Sequence, residues 1–422
     1  MTRGRPTYLM VLAVVGATSC SDASPATEAD ASPADGASAD AADATSPPVD
    51  AGNDAPTVPA SLPPMPVISR KVPAFASSGK ATDGNDDSYD TEWRSSETTS
   101  VATPSWLAYD LSSVATPNRG QVDVVWYSGG GYTEYDLYAK NGSVGYNAPR
   151  DYVIQGNAAP GGSLPSTGWV DLAAITGNTY LSRQLPLNLS GYNWVRMFVT
   201  AINGTTFNFN TSVNLDVHDT SLGLADSWLF LGDSITAFAS RTDGAGIGAQ
   251  SFAQLIHASK PSFFPAAEGA GEGGWNSKTA LNTPSPDAMG SLFDHWLKTF
   301  PGRFVGLSFG TNDGTDGPGD ATPTYDNFVT MVKKVLAAGK VPCIPHVPWA
   351  EDVGHQTNAQ LINAKLDLLY GQYPLVVKGP DLWGVLANHP EWFQDNLHPN
   401  PQGREVYRQA WANAMKSAGV YP

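Results

Sequence analysis

A chain of 422 residues, 41% hydrophobic and 15% charged with a formal net charge of −16, is long enough for two domains, and its two cysteines are too few for a disulfide-held miniprotein. Its 42 Gly, 33 Pro, 12 Trp and 16 Tyr favour short strands and turns, which excludes a coiled coil or a helical repeat. The 24 Lys and Arg are spread along the chain without the clustering that binds phosphate backbones, so nucleic acid is excluded as the main partner.

Residues 1–20, MTRGRPTYLMVLAVVGATSC, begin with Arg3 and Arg5, run through apolar residues from Tyr8 to Val15 and end on small residues at Cys20. Too short to span a bilayer as a helix, the segment reads as a secretory signal. Its Ala17-Thr18-Ser19-Cys20 ending resembles a bacterial lipobox, which implies lipidation at Cys20, a membrane anchor there and a place at the outer membrane or cell surface. Ordinary cleavage nearby would instead release a secreted protein. Export is expected in both cases, and Cys343 then has no disulfide partner. Residues 21–68 are mainly Ala, Asp, Ser, Pro and Thr, and a segment so poor in apolar surface reads as a disordered tether. Its eight carboxylates, at 22, 28, 30, 35, 40, 43, 50 and 54, meet no basic residue and repel one another. Much of the acidity therefore belongs to the tether and says little about a substrate.

From 69 to 222 the texture is short alternating runs between Gly, Pro, Asn and Ser: SWLAYDL, QVDVVWYS, EYDLYAK, DYVIQGN, NWVRMFVTAI and VNLDVHD. Strands at this spacing predict an all-β sandwich. The landmarks Ala81-Thr82-Asp83-Gly84-Asn85, Thr91-Glu92-Trp93, Trp106 to Leu111 and Trp194-Val195-Arg196 resemble the discoidin or galactose-binding-like family. That resemblance implies a jelly roll that binds sugars and holds a structural calcium beside the Asp-Gly-Asn turn. Asp83 is then the first candidate ligand, with Asn214 where such domains often place a Glu. The run from Asp83 to Glu92 lacks the Gly and Glu of an EF-hand loop, and a turn whose Asp and Asn side chains bond backbone amides is an equal reading. Trp106, Trp126 and Trp194 are expected in the core; Trp93 and Trp169 are open between core and sugar stacking.

From 223 to 422 apolar strand candidates alternate with helical patterns: SWLFLGD, SFFPAA, RFVGLSFG, KVPCIPHV and PLVVKGPD. Helices are predicted over 325–338, with Phe328, Met331, Val332, Val335 and Leu336 on one face, and over 358–370, with Leu361, Ile362, Leu366 and Leu369. Strand then helix, repeated five times, predicts an α/β domain with a five-stranded parallel sheet covered on both faces and reactive groups at the carboxyl ends of the strands.

Four blocks follow predicted strands. Gly232-Asp233-Ser234-Ile235-Thr236 puts a serine at a strand-to-helix turn, and Asp395-Asn396-Leu397-His398-Pro399 spaces a carboxylate and an imidazole to orient and deprotonate it. Between them, the glycine run from Gly271 to Gly274 and Gly310-Thr311-Asn312-Asp313 offer a backbone amide and a side-chain amide to a developing oxyanion. Together and in this order, they resemble the SGNH or GDSL hydrolase family, whose fold is a flavodoxin-like αβα sandwich. The resemblance implies Ser234 as nucleophile, Asp395 and His398 as its acid–base pair, and Gly274 and Asn312 as oxyanion donors with the Ser234 amide. Gly274 is preferred over Gly271 and Gly273 because the Asn276-Ser277 after it most resembles the family's Thr-Ser. Gly306-Leu307-Ser308-Phe309-Gly310 also fits a nucleophile elbow, but loop rather than helix follows Ser308, which favours a small residue in a buried strand. No cofactor is needed for this chemistry, and His346, His355 and His389 lack zinc-ligand spacing.

The expected activity is that of an exported serine esterase, most simply on O-acetyl groups of a carbohydrate or polysaccharide, acting as a monomer. Trp275 and Trp349 are candidate sugar platforms, with packing an equal reading. The alternatives are a lipase, lysophospholipase or thioesterase on longer acyl chains, and a surface adhesin whose hydrolase domain is scaffold.

Overall fold

The computed structural model describes residues 65–86, 91–128, 148–178, 182–203, 210–222, 226–240, 250–284, 290–300, 302–313 and 319–422. All fall within one compact unit. Cys20, most of the tether and the strand candidate at 134–140 lie outside the described residues. The fold takes in the end of the expected tether: Met65 is fully buried against Val125 and Ala266, and Ile68 donates its amide to the Val217 carbonyl at 2.8 Å. Apolar Met65, Val67 and Ile68 have surface to bury, which the Ala and Asp before them lack.

Nine strands form the amino-terminal part: β1 (Ala74–Ala76), β2 (Trp93–Arg94), β3 (Ser105–Asp110), β4 (Val122–Tyr127), β5 (Pro149–Asn157), β6 (Val170–Ile175), β7 (Ser182–Leu187), β8 (Trp194–Ile202) and β9 (Ser212–Asp219). They pair antiparallel into two sheets, ordered β1-β3-β8-β5-β6 and β2-β9-β4-β7. Alternate residues of both sheets meet in one core, where Leu107, Tyr109, Met197 and Val199 face Val124, Trp126, Leu215 and Val217. Trp126 closes it by donating its indole N–H to the Tyr152 hydroxyl at 2.9 Å. Trp106 corrects the sequence expectation. Its neighbours Leu107 and Tyr109 take the core side of β3, and the period of two leaves Trp106 half-buried on the other.

Five strands form the second part: β10 (Ser227–Gly232), β11 (Ala266–Gly271), β12 (Phe304–Ser308), β13 (Val341–Ile344) and β14 (Val377–Lys378). All pair in parallel, in the order β11-β10-β12-β13-β14. The helices are α1 (Ser234–Ser240), α2 (Phe252–Ser259), α3 (Ser277–Asn282), α4 (Leu292–Thr299), α5 (Thr322–Ala337), α6 (Val353–Gln372), α7 (Leu382–Leu386) and α8 (Pro401–Ser417). Leu229, Leu231, Val305 and Leu307 pack with residues of α3, α4, α5 and α6 on one face; Trp228, Phe230 and Phe304 pack with α1, α2 and α8 on the other. Three layers result. After β10 the chain runs to one side for β11 and crosses to the other for β12, so the switch point lies between the carboxyl ends of β10 and β12.

The second strand lies later than its apolar signal. SFFPAA predicts a strand over 262–267, whereas β11 is the small-residue run AAEGAG at 266–271. An edge strand packed against α1 and α2 needs small residues for close approach, and Phe263 instead fills the core beside Tyr421. Helix α6 begins five residues before its apolar pattern, because Asp352 caps it by accepting the His355 amide at 2.6 Å.

The two parts share a polar seam. On β9 the core takes Val213, Leu215 and Val217, which should leave Asn214, Asp216 and His218 in water, yet all eight residues of the strand are buried. The seam holds the Arg70–Asp216 ion pair at 3.1 Å and the Ser227 hydroxyl donating to Gln184 Oε1 at 2.8 Å. Burial lowers His218 to about 4, so it is neutral near pH 7. Burial also pushes two carboxyls up to about 7: Asp123 on β4, and Asp226, which accepts the Tyr421 hydroxyl at 2.5 Å. Each is protonated in the fold at pH 5 while the unfolded chain is ionised, so their contribution to stability falls as pH rises from about 4 to 7. Asp123→Asn and Asp226→Asn should therefore gain on the wild type in thermal melts as pH rises from 5 to 8, and an advantage independent of pH would contradict these raised values.

Candidate active site

Ser234 stands where β10 ends and α1 begins. The Asp233 carboxylate holds the turn by accepting the Ile235 amide at 2.9 Å, and the Asp233 carbonyl accepts Ala237 N–H at 3.0 Å. Buried beneath the turn, the Asp233 carboxyl is raised to about 6. Ser234 Oγ lies 2.9 Å from His398 Nε2, and His398 Nδ1 lies 3.0 Å from Asp395 Oδ2. The other oxygen of Asp395 accepts the amides of Leu397 at 2.8 Å and His398 at 2.6 Å. Partial burial would raise the Asp395 carboxyl, but these amides and the imidazole outweigh it and hold it below its ordinary value.

The loop bearing this pair is closed on itself. Gln394 donates its amide to the His398 carbonyl at 2.9 Å, Phe393 and Pro399 form an antiparallel bridge, and Asn400 caps α8 by accepting the amides of Gln402 and Gly403. Two residues without a sequence signal of their own support it. Phe238, one turn beyond Ser234 on α1, meets the imidazole edge to face at 5.5 Å, and the Arg404 guanidinium lies 4.9 Å over the Phe238 ring while Arg404 Nε donates to the Pro399 carbonyl. The only clue available beforehand was the i, i+4 spacing from Ser234.

Across the switch point, Asn312 Nδ2 donates to the Trp275 carbonyl at 2.8 Å, and an amide nitrogen has two protons to give. Asp313 accepts the Ser277 amide at 3.1 Å and the Ser277 hydroxyl, which in turn accepts Asn327 Nδ2 at 2.9 Å. The loop after β12 thus fixes the glycine loop after β11. Of the glycines, Gly271 is packed: a Cβ there would meet the amide nitrogen of Ala237 and lie 2.7 Å from the Asp233 carbonyl oxygen, both in the Ser234 turn. Gly273 and Gly274 face open space, and Gly274 has φ of +76°, a conformation that favours glycine.

The turn at Gly274 sends Trp275 inward. Trp275, open between sugar platform and packing, is 4% exposed and packs 5.9 Å from Trp296 in the core, so its ring is unavailable for stacking. Trp349 is half-buried and meets Phe393, on the acid–base loop, edge to face at 5.4 Å. Ser308 is 8% exposed at the end of β12, with turn rather than helix after it, and His398 binds Ser234 instead.

Asp83 lies in a 3-10 turn far along the chain from these groups, and its carboxylate is engaged by Lys80. Asn85 donates to the carbonyls of Ser69 and Val72, and Asp86 accepts from Thr91, while Asp87 and Asp90 lie outside the described residues. Asn214 is buried on β9. Among the described residues no three His, Cys, Asp or Glu side chains converge, and Lys80 occupies the Asp83 carboxylate. The turn is held by the Asp83 amide on the Lys80 carbonyl and by the Asn85 side chain on the carbonyls of Ser69 and Val72.

A cavity of about 660 Å³ opens beside His398, lined by Thr311 and Asn312, by Asp352, Gly354, His355 and Asn358 at the start of α6, and by residues 395–398. It joins the Asp395–His398 side of the site to the Asn312 side.

Residues 230–406 match the model of the GDSL-like lipase/acylhydrolase family. That span contains Ser234, Asn312, Asp395 and His398, and the α/β part is a GDSL-type acylhydrolase domain. No curated protein sequence matches the chain. Among solved structures, it is similar to protein YxiM from Bacillus subtilis (14% identity over 82% of this chain and 88% of that one, TM-score 0.41). It is also similar to the psychrotrophic esterase EstA from Pseudoalteromonas sp. (18%, covering 46% and 97%, TM-score 0.36). A third similarity is to chitosan-binding module 1 of a Paenibacillus sp. IK-5 chitosanase/glucanase (17%, covering 36% and 98%, TM-score 0.25).

The packing of Gly271 makes a contrast inside one loop. Gly271→Ala should cost about 1–3 kcal/mol by overpacking against α1 and lower activity with it, whereas Gly273→Ala should melt within about 0.5 kcal/mol of the wild type. Thermal unfolding of both variants checks this; equal behaviour would refute the close approach.

Proposed function

We propose that the protein is an exported serine esterase that removes O-acetyl groups from a carbohydrate. The observation that carries the reading is the continuous hydrogen-bonded chain from Ser234 through His398 to Asp395 at the switch point of the sheet, beside a cavity lined mainly by polar residue types. His398 Nε2 takes the Ser234 proton as Oγ attacks the ester carbonyl, while Asp395, held ionised by its amide donors, keeps Nδ1–H directed away from the serine. The developing oxyanion is met by the Ser234 amide, an amide of the glycine loop with Gly274 the first choice, and the second proton of the Asn312 amide, whose first is anchored on Trp275. His398 then protonates the leaving alcohol, the acyl group remains on Ser234, and water repeats the cycle to release the acid. No step calls for a cofactor.

The cavity supports a polar alcohol. Of its ten lining residues Leu397 alone is aliphatic, whereas a long acyl chain needs an apolar channel. Half-buried Trp349 is the remaining candidate for stacking on a sugar ring. Export and the anchor at Cys20 rest on the amino-terminal sequence.

Acid release from acetylated saccharides and from aryl esters of increasing acyl length tests the reading. Ser234→Ala should lower kcat on the order of 10⁶-fold and Asn312→Ala about 10² to 10³-fold, while Ser308→Ala should retain Ser234-dependent turnover. Activity that survives Ser234→Ala would overturn the mechanism, and activity that rises with acyl length would overturn the acetyl substrate.

A further inference from the structure

Resting on that reading, we infer that Asp352 makes the cavity beside His398 a leaving-group subsite for uncharged saccharides that rejects anionic ones. His398 delivers its proton to the leaving oxygen, so the alcohol must occupy the space on the imidazole side. That space is the 660 Å³ cavity, whose far wall is the first turn of α6. The wall is tied to the acid–base loop, because the Asp352 amide donates to the Asn396 carbonyl at 3.2 Å. Asn358 and Asn396 line it with side-chain amides, a group suited to hydroxyl partners.

Charge decides between alcohols of equal polarity. Among the described residues that line the cavity there is no Lys or Arg, and the carboxylates are Asp352 and Asp395. Asp395 is paired with His398. Asp352 is exposed and lies on the α6 terminus, where it accepts the His355 amide at 2.6 Å. A 20-residue helix that presents its amino end to a cavity would by itself favour an anion. The Asp352 carboxylate occupies that end and reverses the sign of the wall. A uronate or a phosphate-bearing alcohol would therefore meet a negative surface in place of a positive one, and a neutral sugar would meet hydroxyl partners alone.

The test compares two probes that differ in one group, an O-acetylated methyl glucoside and the corresponding O-acetylated methyl glucosiduronate, with full-length wild type and Asp352→Asn. Asparagine caps a helix about as well as aspartate, so α6 should survive the change. The wild type should favour the neutral probe in kcat/KM. Asp352→Asn should reduce that preference about five- to tenfold, chiefly through KM for the uronate, and the difference should shrink at high salt because the charge is exposed. A purely structural role would lower both probes together and show no salt dependence; that result, or an unchanged preference in a variant that melts like the wild type, would overturn the inference. Hydrolysis of simple aryl acetates with neither sugar ester accepted would instead overturn the saccharide reading beneath it.

Discussion

The Ser234 turn can sit between two strands because glycine flanks it on both. A Cβ on Gly232 would lie 2.7 Å from the Ser308 carbonyl oxygen of β12, and a Cβ on Gly271 of β11 would enter the backbone of α1. Backbone-to-backbone approach of this kind cannot be relieved by rotating a side chain, so the positions tolerate no substitution without moving the strand or helix. Once α1 is seated, its first residue presents Oγ to His398 and its fifth, Phe238, supports the imidazole. The Asn312–Trp275 and Asp313–Ser277 bonds then hold the glycine loop against the same turn. Ser234, His398 and the loops that carry Gly274 and Asn312 are therefore placed by one region of close contact.

The polar seam between the two parts places a second demand on the chain. Asp123, Asp216, His218 and Gln184 would cost little on an open sheet, but burial requires each to be paired or neutral. Arg70 answers Asp216, while burial leaves His218 neutral and raises Asp123. A tethered module free to swing about a linker would not need these devices. The β-rich part thus belongs to the same compact unit as the hydrolase part.

The chemistry of the cleft follows from where its charges sit. Asp395 is kept ionised by local amides and can orient His398 although it is half-exposed, and Asp352 sets the sign at the opposite wall without touching the reacting atoms. The two carboxylates differ in role because one is bonded to the imidazole and the other to a helix terminus.

By itself the sequence determined the class of fold and pointed to the side chains that the structure brings together at Ser234. Strand and helix periods are local, so the parallel domain, the antiparallel sandwich and helices α5 and α6 could be read within a few residues, and GDSIT, GTND and DNLHP are contiguous blocks whose chemistry is carried by their residue types. Strand β11 escaped because its small residues answer to α1 and α2, not to an apolar face of their own. Tertiary structure alone decided that Trp275 turns into the core while Trp106 does not, that the polar side of β9 is buried, that Lys80 takes Asp83, and that Phe238, Arg404 and Asp352 stand around His398. Each of these depends on a partner distant in the chain, and periodicity reports only which way a side chain points, not what waits there.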